Sequence, residues 1–486
     1  YKEEETELVF IKYPLAKGSD HITVATVRPE TMLGDAAVAV NPKDKRYKKL
    51  IGQKVILPIQ NREIPIIADD EVDMEFGTGA VKVTPAHDVA DFERKEKHGL
   101  EIYSVIDEQG RMTGEAKICV GLKAGACRAE VIKELEKLGL IEKKEKYIHN
   151  LSKCYRCDTT IEPIVSNQWF VKMKELAKTA ATAVESGEIK FHPENFKKTY
   201  LDWQKNIRDW TISRQLWWGH KIPLAGVEDV LDTWFSSALW PLAGLGWPKA
   251  TPDLKEFYPT QVLSTARDII NLWVARMIFS GLEFTGKKPF ADVIIHATVL
   301  NKEGKRMSKS LGTGIDPLDL IKEHGADATR FALIWQTMGT QDIKWQSEAV
   351  TAGKKFLNKM WNAARYALAR QSTNHQQPAT RLNPGIPENK EILEKFENTK
   401  KETSKLIEAF EFGPALHILY DFFWHDFCDV YLEQSKKSQS EETNQTLLYV
   451  LAGSLKLLHP FIPFITEALW VKIPSSDKKL LLVENW

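Results

Sequence analysis

Short runs in which apolar and polar residues alternate dominate the first hundred positions: Leu8–Ile11, Ile22–Val27, Val55–Ile59, Ile64–Ala68 and Ala80–Thr84. Period-two alternation, broken by Gly, Pro and Asn-Pro, predicts the strands of a compact β-barrel-like domain. Helices are expected at Val89–His98 and at Ala126–Leu138, where Val131, Ile132, Leu135 and Leu138 share a face. Beyond Asp229 strand and helix alternate, with Gln261–Ser264, Asp268–Glu283 and Asp292–Leu300 in the order of a parallel sheet that binds ligands at its strand ends. Helical spacing then takes over. One helix opens at Asp316-Pro317 and closes near Gly325, a second reaches Leu333, and another starts near Lys354. Three more are expected at Glu391–Leu406, Pro414–Leu432 and Gln445–Leu458, after a Gln, Asn and Pro-rich linker at Gln371–Asn389.

Composition changes this picture little. A chain of 486 residues suggests three or four domains, and 43% hydrophobic with 27% charged residues is a soluble globular balance. No apolar run approaches the roughly 18 residues needed to span a bilayer, and the N-terminus has no signal-peptide pattern. Five cysteines argue against a disulfide scaffold and fit a reducing cytoplasm. The net charge of zero excludes a surface coated in basic charge, so any nucleic-acid contact rests on local patches such as Lys197/Lys198/Lys205, Lys354/Lys355/Lys359 and Lys400/Lys401/Lys405.

Three stretches carry candidate chemistry. Gly304–Leu311, G-K-R-M-S-K-S-L, follows a strand-like run and offers Lys305, Arg306 and Lys309 with Ser308 and Ser310, the makings of a phosphate-handling loop; its plain alternative is a solvated basic turn. T-V-R-P-E-T at Thr26–Thr31 and G-T-G-A-V-K-V-T-P-A-H-D-V-A-D at Gly77–Asp91 gather a cation, hydroxyls, an imidazole and carboxylates, where the alternative is a turn capped by Thr84 or Asp88 with His87 merely hydrogen-bonded. Cys154-Tyr-Arg-Cys157 supplies half of a zinc knuckle, without a second pair at knuckle spacing.

R-M-S-K-S resembles the K-M-S-K-S signature of class I aminoacyl-tRNA synthetases, with Arg306 in place of the first Lys. The loops at Thr26–Pro42 and Gly77–Asp91, together with D-V-L-D-T-W-F-S-S-A-L-W-P at Asp229–Pro241, resemble the valyl branch more than the isoleucyl or leucyl ones, although Val27 and Ala36 stand where that branch has hydroxyls. The resemblance implies a multidomain α/β protein. Its parts would be a β-barrel editing domain at 1–148, a connective region at 149–226 and the second half of a Rossmann-like catalytic domain at 227–312. A stem-contact region at 313–350 and an α-helical anticodon-binding bundle at 351–486 would follow.

The resemblance further implies ATP-dependent activation of valine with Mg2+, transfer to tRNA(Val), and hydrolytic editing of threonyl-tRNA. By position, Lys309, Arg306, Ser308 and Ser310 would serve catalysis, with Lys309 the cation for the departing pyrophosphate. Trp234, Asp268, Ile269 and Trp273 would line the valine pocket, although by residue type alone Trp234, Ile269 and Trp273 read first as core aromatics and aliphatics. Arg28, Phe76, Lys82, Thr84, Asp88 and Asp91 would form the editing site, with Asp91 reading the threonine hydroxyl and Asp88 the ammonium. Cys154 and Cys157 are the candidate Zn2+ ligands. After Pro223 the chain runs straight through Leu224–Val227, where relatives carry a longer cysteine-bearing insertion. No H-x-G-H pattern occurs, so the expectation is a chain without the first half of the nucleotide fold and without activation activity alone. An isoleucyl-type synthetase and an editing-only or non-catalytic tRNA-binding fragment remain the alternatives.

Overall fold

The computed structural model describes every residue except 155, 308–311, 340–341, 371–381, 383–384, 475–478 and 485–486. The chain divides into two compact units, Tyr1–Asn167 and Gln168–Trp486. Among the described residues, no helix is long and apolar enough to cross a membrane.

The first unit is built on β1 (Lys2–Pro14), which lies between β2 (His21–Thr26) and β7 (Ile141–Leu151) in an antiparallel sheet. A second sheet has the order β4-β5-β3-β6, formed by β3 (Ala37–Val40), β4 (Lys54–Leu57), β5 (Arg62–Ala68) and β6 (Ala80–Val83). β3 runs parallel to β5 and antiparallel to β6, with Val38 opposite both Ile66 and Lys82. The alternation works as expected: Val9, Ile11, Tyr13, Ile22 and Val24 point into one core with Val38, Val55, Leu57 and Ile64. The expected barrel is two sheets in hydrogen-bonding terms, bridged at Leu15 and Val55.

β7 is absent from the sequence-based strands because its surface is polar, and its charges are matched laterally, Lys146 to Glu5 at 2.8 Å and Lys143 above the Phe10 ring at 4.3 Å. Helix α1 (Val89–His98) is capped by Asp88, which accepts from the Ala90 and Asp91 N–H groups, and ends on Gly99 at φ 62°. Helix α2 (Ala124–Lys137) buries Ala124, Cys127, Val131 and Leu135, so its face is rotated from the expected one and Leu138 is exposed. Cys127 is disulfide-bonded to Cys119, contrary to the expectation of reduced cysteines. Their spacing of eight carries no signal; it is the turn into α2 that brings them together.

In the second unit a parallel sheet places Phe290–His296 between Thr260–Ala266 and Lys190–His192. The expected helix at Asp268–Glu283 is a 3-10 turn, a wide π turn at Ile270–Val274 and then the α-helix Ala275–Thr285. The last strand stops at His296; Val299–Leu300 pairs separately, parallel to Ile343–Lys344. Helices Pro317–His324 and Ala326–Trp335 lead to an all-helical bundle of Glu348–Ala369, Pro387–Glu408, Phe412–Asp421, Glu441–Leu458 and Pro463–Trp470. Phe331, Phe356, Phe396, Phe423, Phe427 and Leu455 are among its core. The linker ends earlier than expected, because Pro387 opens a helix at a position suited to it and Asn389 is buried, donating to Glu442.

Candidate functional site

Two groups of residues singled out by sequence are brought together, one in each unit. In the first, the side chains of Lys82 and Thr84, two apart on one face of the β6 strand and its continuation, meet Asp35, two residues before β3. Asp35 is fully buried. Its Oδ1 accepts from Thr84 Oγ1 at 2.5 Å and Lys82 Nζ at 3.3 Å, and its Oδ2 from the Tyr13 hydroxyl at 2.7 Å. Lys82 also donates to Thr31 Oγ1 at 2.9 Å and Thr84 Oγ1 at 2.5 Å. Burial pushes the Asp35 carboxyl up to about 6, against the pull of Lys82 and of the Thr84 and Tyr13 hydrogen bonds. The Tyr13 hydroxyl is raised too, first by burial and then by the Asp35 charge.

Asp91 sits one step further on. Its Oδ2 accepts the Thr84 N–H at 2.8 Å and its Oδ1 the Arg94 guanidinium at 2.8 Å, while Arg94 Nε reaches Asp69 at 2.5 Å. Burial raises its carboxyl above the usual range despite Lys82 and these donors. Asp88 is exposed and uses Oδ1 as the cap of α1. Phe76 stands outside the hydrogen-bonded cluster, half exposed and edge-on to Tyr147 at 5.9 Å.

Arg28 opens a 3-10 turn, Pro29–Gly34, that buries Glu30 completely. Glu30 is held side-on by Arg128 at 2.8 and 2.9 Å and lies 3.5 Å from Arg28 Nε. His87 is buried. Its Nε2 accepts from the Val105 and Ile106 N–H groups at 2.9 and 3.2 Å, which makes Nδ1 the protonated nitrogen, donating to Pro163 O at 3.0 Å. Desolvation lowers its pKa to about 4, so it is neutral at pH 7. Glu30, Thr31 and Asp35 lie in the Thr26–Pro42 stretch but had no role assigned from sequence, and the Tyr13, Arg128 and Arg94 contributions were not anticipated. The legible hint was a lone Asp35 within the apolar run Met32–Val40.

Cys157 is exposed, with its thiol held below the ordinary range by the hydroxyl and N–H of Thr159 and by Cys154. Two thiols are half of a tetrahedral zinc set. Among the described residues, no third His, Cys, Asp or Glu joins them, so these donors do not fit a closed Zn2+ site.

In the second unit, Trp234, Ile269 and Trp273 line a single cleft of about 800 Å³ with Trp218, His220 and Trp240. Trp234 rides on Thr233–Ala238, a helix capped by Asp232, whose carboxylate also accepts from Arg214 at 2.6 Å and Trp210 Nε1 at 3.0 Å. Trp273 Nε1 donates to Ser237 O at 3.1 Å. Asp268 is half exposed beside Ile269 and pairs with Arg306 Nη1 at 3.0 Å. Ser308, Lys309 and Ser310 lie outside the described residues. Of the lysine patches, Lys359 is spent on Asp429 at 2.5 Å and on the Trp424 ring at 4.0 Å.

The family profile of class I tRNA synthetases (I, L, M and V) matches residues 22–227 and 224–346, and that of the anticodon-binding domain of tRNA ligase matches 389–486. Relatives named valine–tRNA ligase from Petrotoga mobilis, Thermotoga maritima and Clostridium tetani are each 47% identical over the whole chain. The chain spans 59% of their length. A methionyl-tRNA synthetase of Mycobacterium tuberculosis in complex with methionyl-adenylate is similar in fold, with a TM-score of 0.56 at 18% identity over 66% of this chain and 65% of that one.

Proposed function

Since the chain belongs to the class I tRNA synthetases (I, L, M and V), we propose that it is a portion of a valine–tRNA ligase that carries the editing domain, part of the adenylate-forming site and the anticodon-binding bundle. The 47% identity to valine–tRNA ligases along the whole chain supports the amino acid and the tRNA. The observation that carries the reading is the cleft in which Trp234, Ile269 and Trp273 converge beside the Asp268–Arg306 pair. Three apolar walls suit a branched aliphatic side chain, and the Asp268 carboxylate beside them suits its ammonium group.

In activation, the valine carboxylate attacks the α-phosphorus of ATP, giving valyl-AMP and pyrophosphate; a ribose hydroxyl of tRNA(Val) then takes the valyl group and AMP leaves. Negative charge grows on the departing pyrophosphate, and cations placed for that charge lower the barrier. Arg306 is one candidate, exchanging Asp268 for a phosphate oxygen, and Lys309 the other; Ser308 and Ser310 would hydrogen-bond the phosphates or hold the loop. Arg306 brings a planar fork in place of the ammonium of the usual Lys. Among the described residues, no carboxylate cluster forms a Mg2+ cage, so the ion would arrive on the ATP phosphates.

The first unit is the proposed editing domain. An apolar pocket rejects a hydroxyl-bearing isostere by only about 10²-fold, as established for this class of enzyme with threonine. Arg28, Lys82, Thr84, Asp88 and Asp91, with Phe76 at the edge, would hold a threonyl ester while water attacks its carbonyl and releases threonine. Amino-acid-dependent ATP–pyrophosphate exchange tests the activation half, measured on this chain and on a protein of its relatives' full length. Valine should be the preferred substrate in the longer form; faster exchange with isoleucine would sink the valyl assignment.

A further inference from the structure

The segment that leaves the first unit passes over Arg28 and His87 with Glu162 and Pro163. Arg28 has three acceptors: Glu162, with which it forms an ion pair, Glu30 at 3.5 Å and the His87 carbonyl at 3.5 Å. Glu30 is a poor partner for Arg28, because Arg128 already takes both its oxygens. The Arg28 guanidinium therefore depends on Glu162 for orientation. Glu162 is itself fixed by its neighbour: the Pro163 carbonyl accepts from His87 Nδ1, and His87 is keyed to that tautomer by two backbone donors. Arg28 and Glu162 are each about four-fifths buried, where a hydrogen-bonded pair is better held than at an open surface.

We propose that Glu162 is the positioning residue of Arg28, holding its guanidinium in the hydrolytic site from outside the two loops that carry the motif. The inference rests on the editing role assigned to that site. It concerns orientation only; Glu162 exchanges no proton with substrate.

Phenylglyoxal modification of Arg28, followed by peptide mass mapping on the intact chain, reads the orientation without any activity. Glu162→Gln should speed modification about fivefold, with Glu162→Asp in between, because the planar fork loses its charged partner. In threonyl-tRNA hydrolysis, Glu162→Gln should raise KM about tenfold and leave kcat within about threefold, as expected for lost substrate binding. An Arg28 modification rate equal to the parent's overturns the proposal, whatever the hydrolysis shows. So does a fall in kcat and in the unfolding midpoint together without a change in KM, the mark of a merely structural role. A parent that leaves threonyl-tRNA intact, with Arg28 still released in Glu162→Gln, removes the editing reading alone.

Discussion

The polar cluster of the first unit and the aromatic cleft of the second solve opposite problems. Asp35, Lys82, Thr84 and Tyr13 are buried and mutually satisfied, so their geometry is set before any ligand arrives. Asp268 and Arg306 form a pair at the surface beside a wide apolar cleft, easily parted. Fixed acceptors suit the hydroxyl discrimination proposed for the first unit, since an unpaired buried polar group is costly. A site that must stabilise charge only as it develops gains from a cation that is weakly committed at rest.

The comparison predicts unequal costs. Asp35→Ala removes the carboxylate paired with the buried Lys82 ammonium and should cost about 3–5 kcal/mol in urea unfolding; a loss under about 1 kcal/mol would mean the cluster is not a rigid element. Asp91→Ala should slow threonyl-tRNA hydrolysis about 10²-fold, and unchanged hydrolysis would break the assignment of that site.

The pH response is next in size. His87 in the unfolded chain takes a proton below about 6.5, whereas the folded site resists it until about 4, so the stability His87 contributes is lost as pH falls through that window. Asp35 runs the other way, because its carboxyl binds a proton near 6 when folded and favours the folded state on acidification. A His87→Gln variant isolates the first effect: it should lose about 2 kcal/mol less than the parent between pH 6.5 and 4.5, and parallel curves would refute the neutral-imidazole account. The smallest effect is expected at Arg306→Ala, under about 1 kcal/mol in stability because its ion pair is exposed.

Much of this was legible in the chain. Period-two alternation located β1, β2, β4, β5 and β6 of the first unit, though not β3, whose Ala-Val-Ala-Val is buried on both faces and has no polar alternate, and Asp88 was recognisable as a cap. The convergence of Trp234 with Ile269 and Trp273 was not derivable from spacing, since these residues are otherwise ordinary apolar positions, and only the family resemblance joined them. Asp35 was missed because a buried carboxylate announces itself only through partners from β1 and β6, far away in sequence. β7 was missed because a strand with exposed charges on both faces has no hydrophobic period, and its place is set by pairing with β1.

That pairing has a further consequence. Lys2 at the start of β1 lies opposite Leu151 at the end of β7, so the polypeptide enters and leaves this sheet at one spot. A fold with adjacent entry and exit can be spliced into a surface turn of a host at little loop-closure cost and without pulling the host's own strands apart. The same geometry makes Lys2–Leu151 a natural cassette for transplantation, carrying the Asp35, Lys82, Thr84 and Tyr13 cluster but leaving behind the Glu162 and Pro163 contacts to Arg28 and His87.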